Sequence, residues 1–140
     1  MNFKECIKKG MIRKDKSAPQ RVKKSLEISK RFLDSSKKNL EIKELEMSEI
    51  ASYNSIFHSS RALLFIKEFT ERSHICVIIA LKEFYKEDDN LLDLLNTFDK
   101  IRISRHNIQY GGILIDKEEA EFVYDFAKEF LEKTKNIIKG

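Results

Sequence analysis

Eleven consecutive residues, Arg102-Ile-Ser-Arg-His-Asn-Ile-Gln-Tyr-Gly-Gly112, form the one constellation in this chain that reads as chemical. They hold two guanidiniums (Arg102, Arg105), an imidazole (His106), two amides (Asn107, Gln109) and a phenol (Tyr110). A guanidinium clamps phosphate oxygens in a planar fork, and an imidazole exchanges protons near neutral pH. Upstream, Leu91, Leu94, Phe98 and Ile101 repeat at helical spacing, and four residues further the same stripe reaches Arg105. A core-facing helix normally continues there with an apolar residue, so Arg105 is a polar interruption on an apolar face. Arg102, His106 and Tyr110 form a neighbouring row at i, i+4 and i+8, with Asp99 three residues before Arg102. The alternative reading is a set of caps and ion pairs, with Asp99 pairing Arg102.

A second candidate group is His58 with Arg61, at i, i+3 on another helix and flanked by Phe57 and Leu64. Its plainer reading is a buried, hydrogen-bonded histidine. His74, after Ser73 at a helix start, reads as a surface residue. The three histidines have no acidic partners at i+3 or i+4, so no metal site is expected, and no cofactor. Dinucleotide-binding, P-loop, GxSxG and CxxC signatures are missing. Cys6 and Cys76 lie far apart and read as small buried hydrophobes rather than a disulfide or metal pair.

The elements that must position these groups are helices. Gly10, Gly111, Gly112 and Gly140 are the only glycines and Pro19 the only proline, so Met11 to Tyr110 contains no glycine. Sandwiches and barrels need frequent turn residues and β-branched strands, which excludes an all-β fold. A short helix over Phe3–Lys9 stops at Gly10. Ser17 is a cap candidate, with Pro19 in the first turn of a helix running to about Asn39 through Val22, Leu26, Phe32 and Leu33. A second long helix starts near Met47 and ends near Phe69, with small residues that allow close packing. Ser73 caps a third, the break over residues 86–90 precedes a fourth, and Asp116 with Glu119 opens the last as a capping box. The expectation is an all-α, up-and-down antiparallel bundle of four to five main helices plus a short N-terminal helix, one domain over residues 1–140.

Charge is uneven. Residues 1–40 hold 13 Lys and Arg against 4 Asp and Glu, whereas residues 41–140 hold 14 against 19. A basic first third can track phosphates; it also fits a solvated lysine-rich face formed by Lys8, Lys9, Arg13, Lys14, Lys16, Lys23 and Lys24. The first residues carry no apolar signal-peptide core, and the longest uncharged run, 50–60, is too short to span a bilayer. A cytoplasmic protein without membrane contact is expected.

The sequence also resembles a HEPN domain, in particular the small free-standing prokaryotic HEPN proteins. Four ordered blocks carry the likeness: Phe3 to Lys14, Ala51 to Leu64, Ser73 to Leu81, and Phe98 to Gly112. The resemblance implies a helical bundle that dimerises. It implies a metal-independent ribonuclease of toxin type, encoded beside a minimal nucleotidyltransferase antitoxin. The family signature is an arginine, four to six residues, then a histidine, facing the dimer cleft. Arg105 matches the arginine, and Tyr110 stands where the histidine is expected, as is frequent in that subgroup. A phenol is a poor general base at neutral pH but a good hydrogen-bond donor to phosphate. His106 is the alternative proton carrier, although it projects about 100° from Arg105 on a regular helix.

Three functions follow. The first is a HEPN component of a toxin–antitoxin-like pair that binds RNA or nucleotide at a homodimer cleft, through Arg105 and Tyr110 with His106, Arg102, Asn107, Gln109, Arg61 and His58 around them. In that reading the Tyr110 hydroxyl is also a possible acceptor of nucleotidyl transfer from the partner. The alternative is an active endoribonuclease using Arg105 with Tyr110 or His106. The third is a purely structural helical dimer.

Overall fold

A computed structural model describes residues 1–140. It contains six α-helices and two three-residue strands: α1 (Phe3–Lys8), β1 (Ile12–Lys14), α2 (Val22–Glu41), α3 (Leu45–Ile66), β2 (Phe69–Glu71), α4 (His74–Phe84), α5 (Asp89–Gly111) and α6 (Lys117–Lys139). The fold is an all-α bundle of five main helices with a short N-terminal one, as expected from the sequence. No helix is long and apolar enough to cross a membrane.

The centre of the bundle is α3, which packs against α2, α4, α5 and α6. It is apolar around most of its circumference because it is covered on most sides. Ile56, Leu63 and Leu64 are fully buried there together with Leu81 of α4, Leu91, Leu95 and Phe98 of α5 and Phe130 of α6. The α2–α3 contact is lined by two clusters of serines. Ser36 of α2 meets the hydroxyls of Ser48 and Ser52, and seven residues earlier Ser29 meets those of Ser55 and Ser59, at 3.1 and 2.8 Å. Ser29 and Ser36 also donate to the carbonyls of Ser55 and Ser48, at 2.8 and 3.0 Å. Small side chains let the two backbones approach, and the buried hydroxyls satisfy one another. The pairing order makes α2 and α3 antiparallel. Their three-residue turn, Ile42 to Glu44, has Lys43 in a left-handed conformation (φ 62°).

Several local expectations are corrected. Ser17 does not cap with its side chain; its hydroxyl donates to Asp15 at 2.7 Å, and residues 18–21 form a single 3₁₀ turn containing Pro19 that leads into α2. The second long helix stops at Ile66, three residues early, because Phe69–Glu71 pairs antiparallel with Ile12–Lys14, Ile12 opposite Glu71. Strands this short leave no periodicity in a sequence. Cys6 and Cys76 are joined as a disulfide, contrary to the reading of two separate buried thiols. Packing of α1 on α4 brings together two residues 70 positions apart, which spacing could not reveal. Lys8, Lys9, Arg13, Lys14, Lys16, Lys23 and Lys24 are all exposed, so the basic first third presents its charge to solvent.

Ser73 and Asp116 cap their helices as expected, and Asp88, inside the break over residues 86–90, caps α5; each accepts a backbone N–H three residues on, from Cys76, Glu119 and Leu91 respectively. The Glu119 side chain, however, does not reach back to complete a capping box; it turns towards Ser104 of α5.

Candidate functional site

The C-terminal half of α5 carries the polar cluster, and Gly112 ends the helix in a left-handed conformation (φ 69°). Its N–H and that of Ile113 donate to the carbonyl of Asn107. Asn107 thus closes the helix through its backbone, while its side chain is exposed.

Arg105 points across to α3. Its guanidinium carbon lies 4.2 Å from the centroid of the Tyr53 ring, a cation–π distance. Nη1 donates to Gln109 Oε1 at 3.3 Å, and Nε is buried with no partner. No carboxylate pairs with it. The other two arginines differ: Arg102 Nε donates to Asp99 at 2.9 Å, the ion pair given above as the alternative for that residue, and Arg61 Nε donates to Glu71 of β2 at 2.9 Å. Arg61 also lies over the Phe65 and Phe57 rings. Two of the three positive charges are therefore matched within the chain. The third is held by aromatic packing and a neutral amide.

Behind Arg105 is a unit that sequence reasoning missed. Tyr53 is buried, and its hydroxyl lies 2.6 Å from Nδ1 of His74, the first residue of α4. The His74 ring stacks on Phe57, centroids 4.0 Å apart, and the residue is otherwise exposed. It is a surface residue, as the sequence suggests, but one edge is engaged with the core. Burial raises the pKa of the Tyr53 phenol, and the nearby Arg105 guanidinium only partly offsets this. His74 is shifted the opposite way, first by burial and then by the charges of Arg105, Arg102 and Arg61. At neutral pH the pair is a protonated phenol beside a neutral imidazole.

The remaining candidates separate into two places. His106 and Tyr110 are both exposed, their ring centroids 4.9 Å apart on the outer face of α5. The structure thus brings Arg105 to Tyr53, His74 and Gln109, while His106 and Tyr110 form a pair of their own. His58 stacks on Phe32 of α2 at 5.7 Å and is not hydrogen-bonded at Nδ1, correcting the hydrogen-bonded histidine expected from the sequence. Burial, with Arg61 and His74 adding to it, lowers its pKa to about 4. At neutral pH its imidazole is uncharged.

A second polar group lies one residue from Arg105. The Ser104 hydroxyl is 2.7 Å from Glu49 Oε2 and 3.2 Å from Glu119 Oε2, and Glu49 is completely buried. Burial, together with the neighbouring Glu119 carboxyl, pushes the Glu49 pKa up to about 8. A cavity of about 290 Å³ opens beside the pair, lined by Thr97, Lys100 and Phe122 among others. Glu49, Tyr53 and Phe57 fall at i, i+4 and i+8 on α3. Polar groups on an apolar stripe were the signal that singled out Arg105, and the same test applied to α3 finds Glu49 and Tyr53.

Comparison with known proteins agrees with this architecture. The HEPN domain profile matches residues 22–137, from the start of α2 almost to the end of α6. The chain belongs to the HEPN family. This HEPN chain is also 32% identical over 129 residues to the Methanocaldococcus jannaschii protein named "Putative toxin MJ0142", an alignment covering 86% of the chain and 83% of that protein. The family match takes in α5 with Arg105 and Tyr110, and both Tyr53 and His74.

Proposed function

We propose that this HEPN chain binds the phosphates of RNA or a nucleotide at Arg105, as the toxin-type component of a pair with a minimal nucleotidyltransferase. The observation that carries the reading is the unmatched charge of Arg105. A guanidinium oriented by an aromatic ring, with no carboxylate partner, keeps its fork available to an anion and has little side-chain entropy left to lose on binding. The name of the similar M. jannaschii protein supports the toxin assignment.

The site works as half of a cleft between two copies. Ile103, Tyr110, Ile113 and Leu114 expose 50–80% of their surface at this end of α5, and exposed large apolar groups grouped at one end favour self-association. The deciding experiment is fluorescence anisotropy with a labelled single-stranded RNA and with a labelled nucleotide. Wild type should bind one of them and Arg105→Ala should not; equal binding by both proteins sinks the proposal. Light scattering tests the dimer, which a monomer at micromolar concentration contradicts.

Active ribonuclease chemistry is the second reading, favoured by the adjacency of the His106 imidazole to the Tyr110 phenol on the helix that carries Arg105. In it the imidazole moves the proton of the ribose 2′-hydroxyl or of the leaving 5′-oxygen, and Arg105 stabilises the phosphorane charge. Cleavage of RNA without added metal, abolished in Arg105→Ala and in His106→Ala, separates this reading from binding alone.

A further inference from the structure

We infer that His74 is a phosphate-binding residue of the Arg105 site, presenting Nε2–H as a neutral donor, and that Tyr53 is the positioning residue that fixes this tautomer. The inference rests on the proposed phosphate site and adds to it a group from a different helix. The buried Tyr53 hydroxyl has one acceptor within reach, Nδ1 of His74 at 2.6 Å; the nearby Arg105 guanidinium can only donate to it. A phenol whose proton has only that acceptor must donate to it. With Nδ1 accepting, the neutral ring carries its proton on Nε2. The opposite tautomer would have Nδ1–H donate to the phenol and would strand a buried hydroxyl proton, a cost that no neighbouring group offsets.

Nε2 lies on the far side of the ring from Nδ1 and makes no hydrogen bond within the chain, and His74 is exposed apart from its stacked face and bonded edge. The ring cannot swing freely, because Phe57 packs on its face and Tyr53 holds its edge. The same Tyr53 side chain bears the Arg105 guanidinium on its ring. One buried tyrosine therefore orients both donors, one by its hydroxyl and one by its π-face. A guanidinium fork and a neutral N–H held by one tyrosine suit the several oxygens of a phosphate group.

Two measurements test this. Long-range ¹⁵N–¹H correlation spectra of the free wild-type protein should show His74 protonated at Nε2 and bare at Nδ1, and Tyr53→Phe should shift it to a tautomer mixture. A wild-type Nδ1–H tautomer overturns the inference. In anisotropy titrations with single-stranded RNA and with ATP, His74→Ala should weaken whichever ligand the wild type binds by about tenfold, the size of one hydrogen bond to a charged group. His74→Gln, whose amide nitrogen reaches close to the Nε2 position, should recover most of that loss, which a purely structural role for the ring would not produce. Binding that Arg105→Ala abolishes and His74→Ala leaves unchanged overturns the His74 assignment alone. A wild type that binds neither ligand overturns the phosphate site and this role with it.

Discussion

The Arg105 guanidinium rests on the face of Tyr53, 4.2 Å from carbon to centroid, so a charged group of α5 is held by an aromatic group of α3. The contact needs a flat, delocalised cation. Lysine keeps the charge but is a compact ammonium that neither stacks nor offers a fork. Arg105→Lys is therefore expected to lose about tenfold or more in affinity for RNA or nucleotide, while Arg105→Ala loses binding altogether. Anisotropy titration of the two variants side by side checks this, and near-wild-type affinity in the lysine variant would contradict it.

Glu49 makes stability depend on pH in an unusual direction. Its folded pKa of about 8 lies above the ordinary 4.5, so the folded state holds a proton that the unfolded chain releases between these values. The resulting stability is fully present below pH 4.5 and is lost as pH rises through 8. Glu49→Gln removes the titration and should leave a protein more stable than wild type at pH 9. Urea midpoints at pH 5, 7 and 9 should show the gap widening in favour of the variant. Parallel curves would disprove the assignment.

The Cys6–Cys76 disulfide should dominate thermal stability. Closing a loop of 70 residues restricts the unfolded chain by about 4 kcal/mol. Cys6→Ser, or wild type under reductant, should melt several degrees lower, with α1 opening first in hydrogen exchange because α4 and β1 are the elements it leans on. Unchanged melting on reduction would show that α1 is held by packing alone.

The two glycines that end α5 should respond in opposite senses. Gly111 is helical, and an added Cβ would meet only Ile113 at 3.9 Å, so Gly111→Ala should stabilise by about 0.5–1 kcal/mol. At Gly112 nothing lies within 4 Å, but φ is +69°; Gly112→Ala should destabilise by about 1 kcal/mol through backbone strain alone. Chemical denaturation of both variants distinguishes a conformational cost from a steric one.

The helices were readable because α5 and α6 carry apolar residues at regular intervals, α5 after the break over residues 86–90 and α6 after the Asp116 cap. The prominence of Arg105 was readable for the same reason, as the point where an apolar stripe turns polar. The Tyr53–His74 bond was not, since its partners lie 21 residues apart on two helices separated by the β2 strand. Periodicity reports which face a residue occupies and is silent on what stands opposite. Glu49 and Ser104 are 55 residues apart and the two cysteines 70, and only the packed bundle unites them.

The serine contact between α2 and α3 is built from two near-identical units. Ser36 with Ser48 and Ser52 repeats as Ser29 with Ser55 and Ser59, and every member is displaced by seven residues. Sliding α2 by one such step, about 10.5 Å, would set Ser29 opposite Ser48 and Ser52 and preserve one complete hydroxyl cluster. The hydroxyls alone therefore permit two alignments of the pair. The choice falls to the short turn at Ile42 to Glu44 and to the packing of α2 on α6. Lengthening that turn would remove one of these two restraints on the alignment.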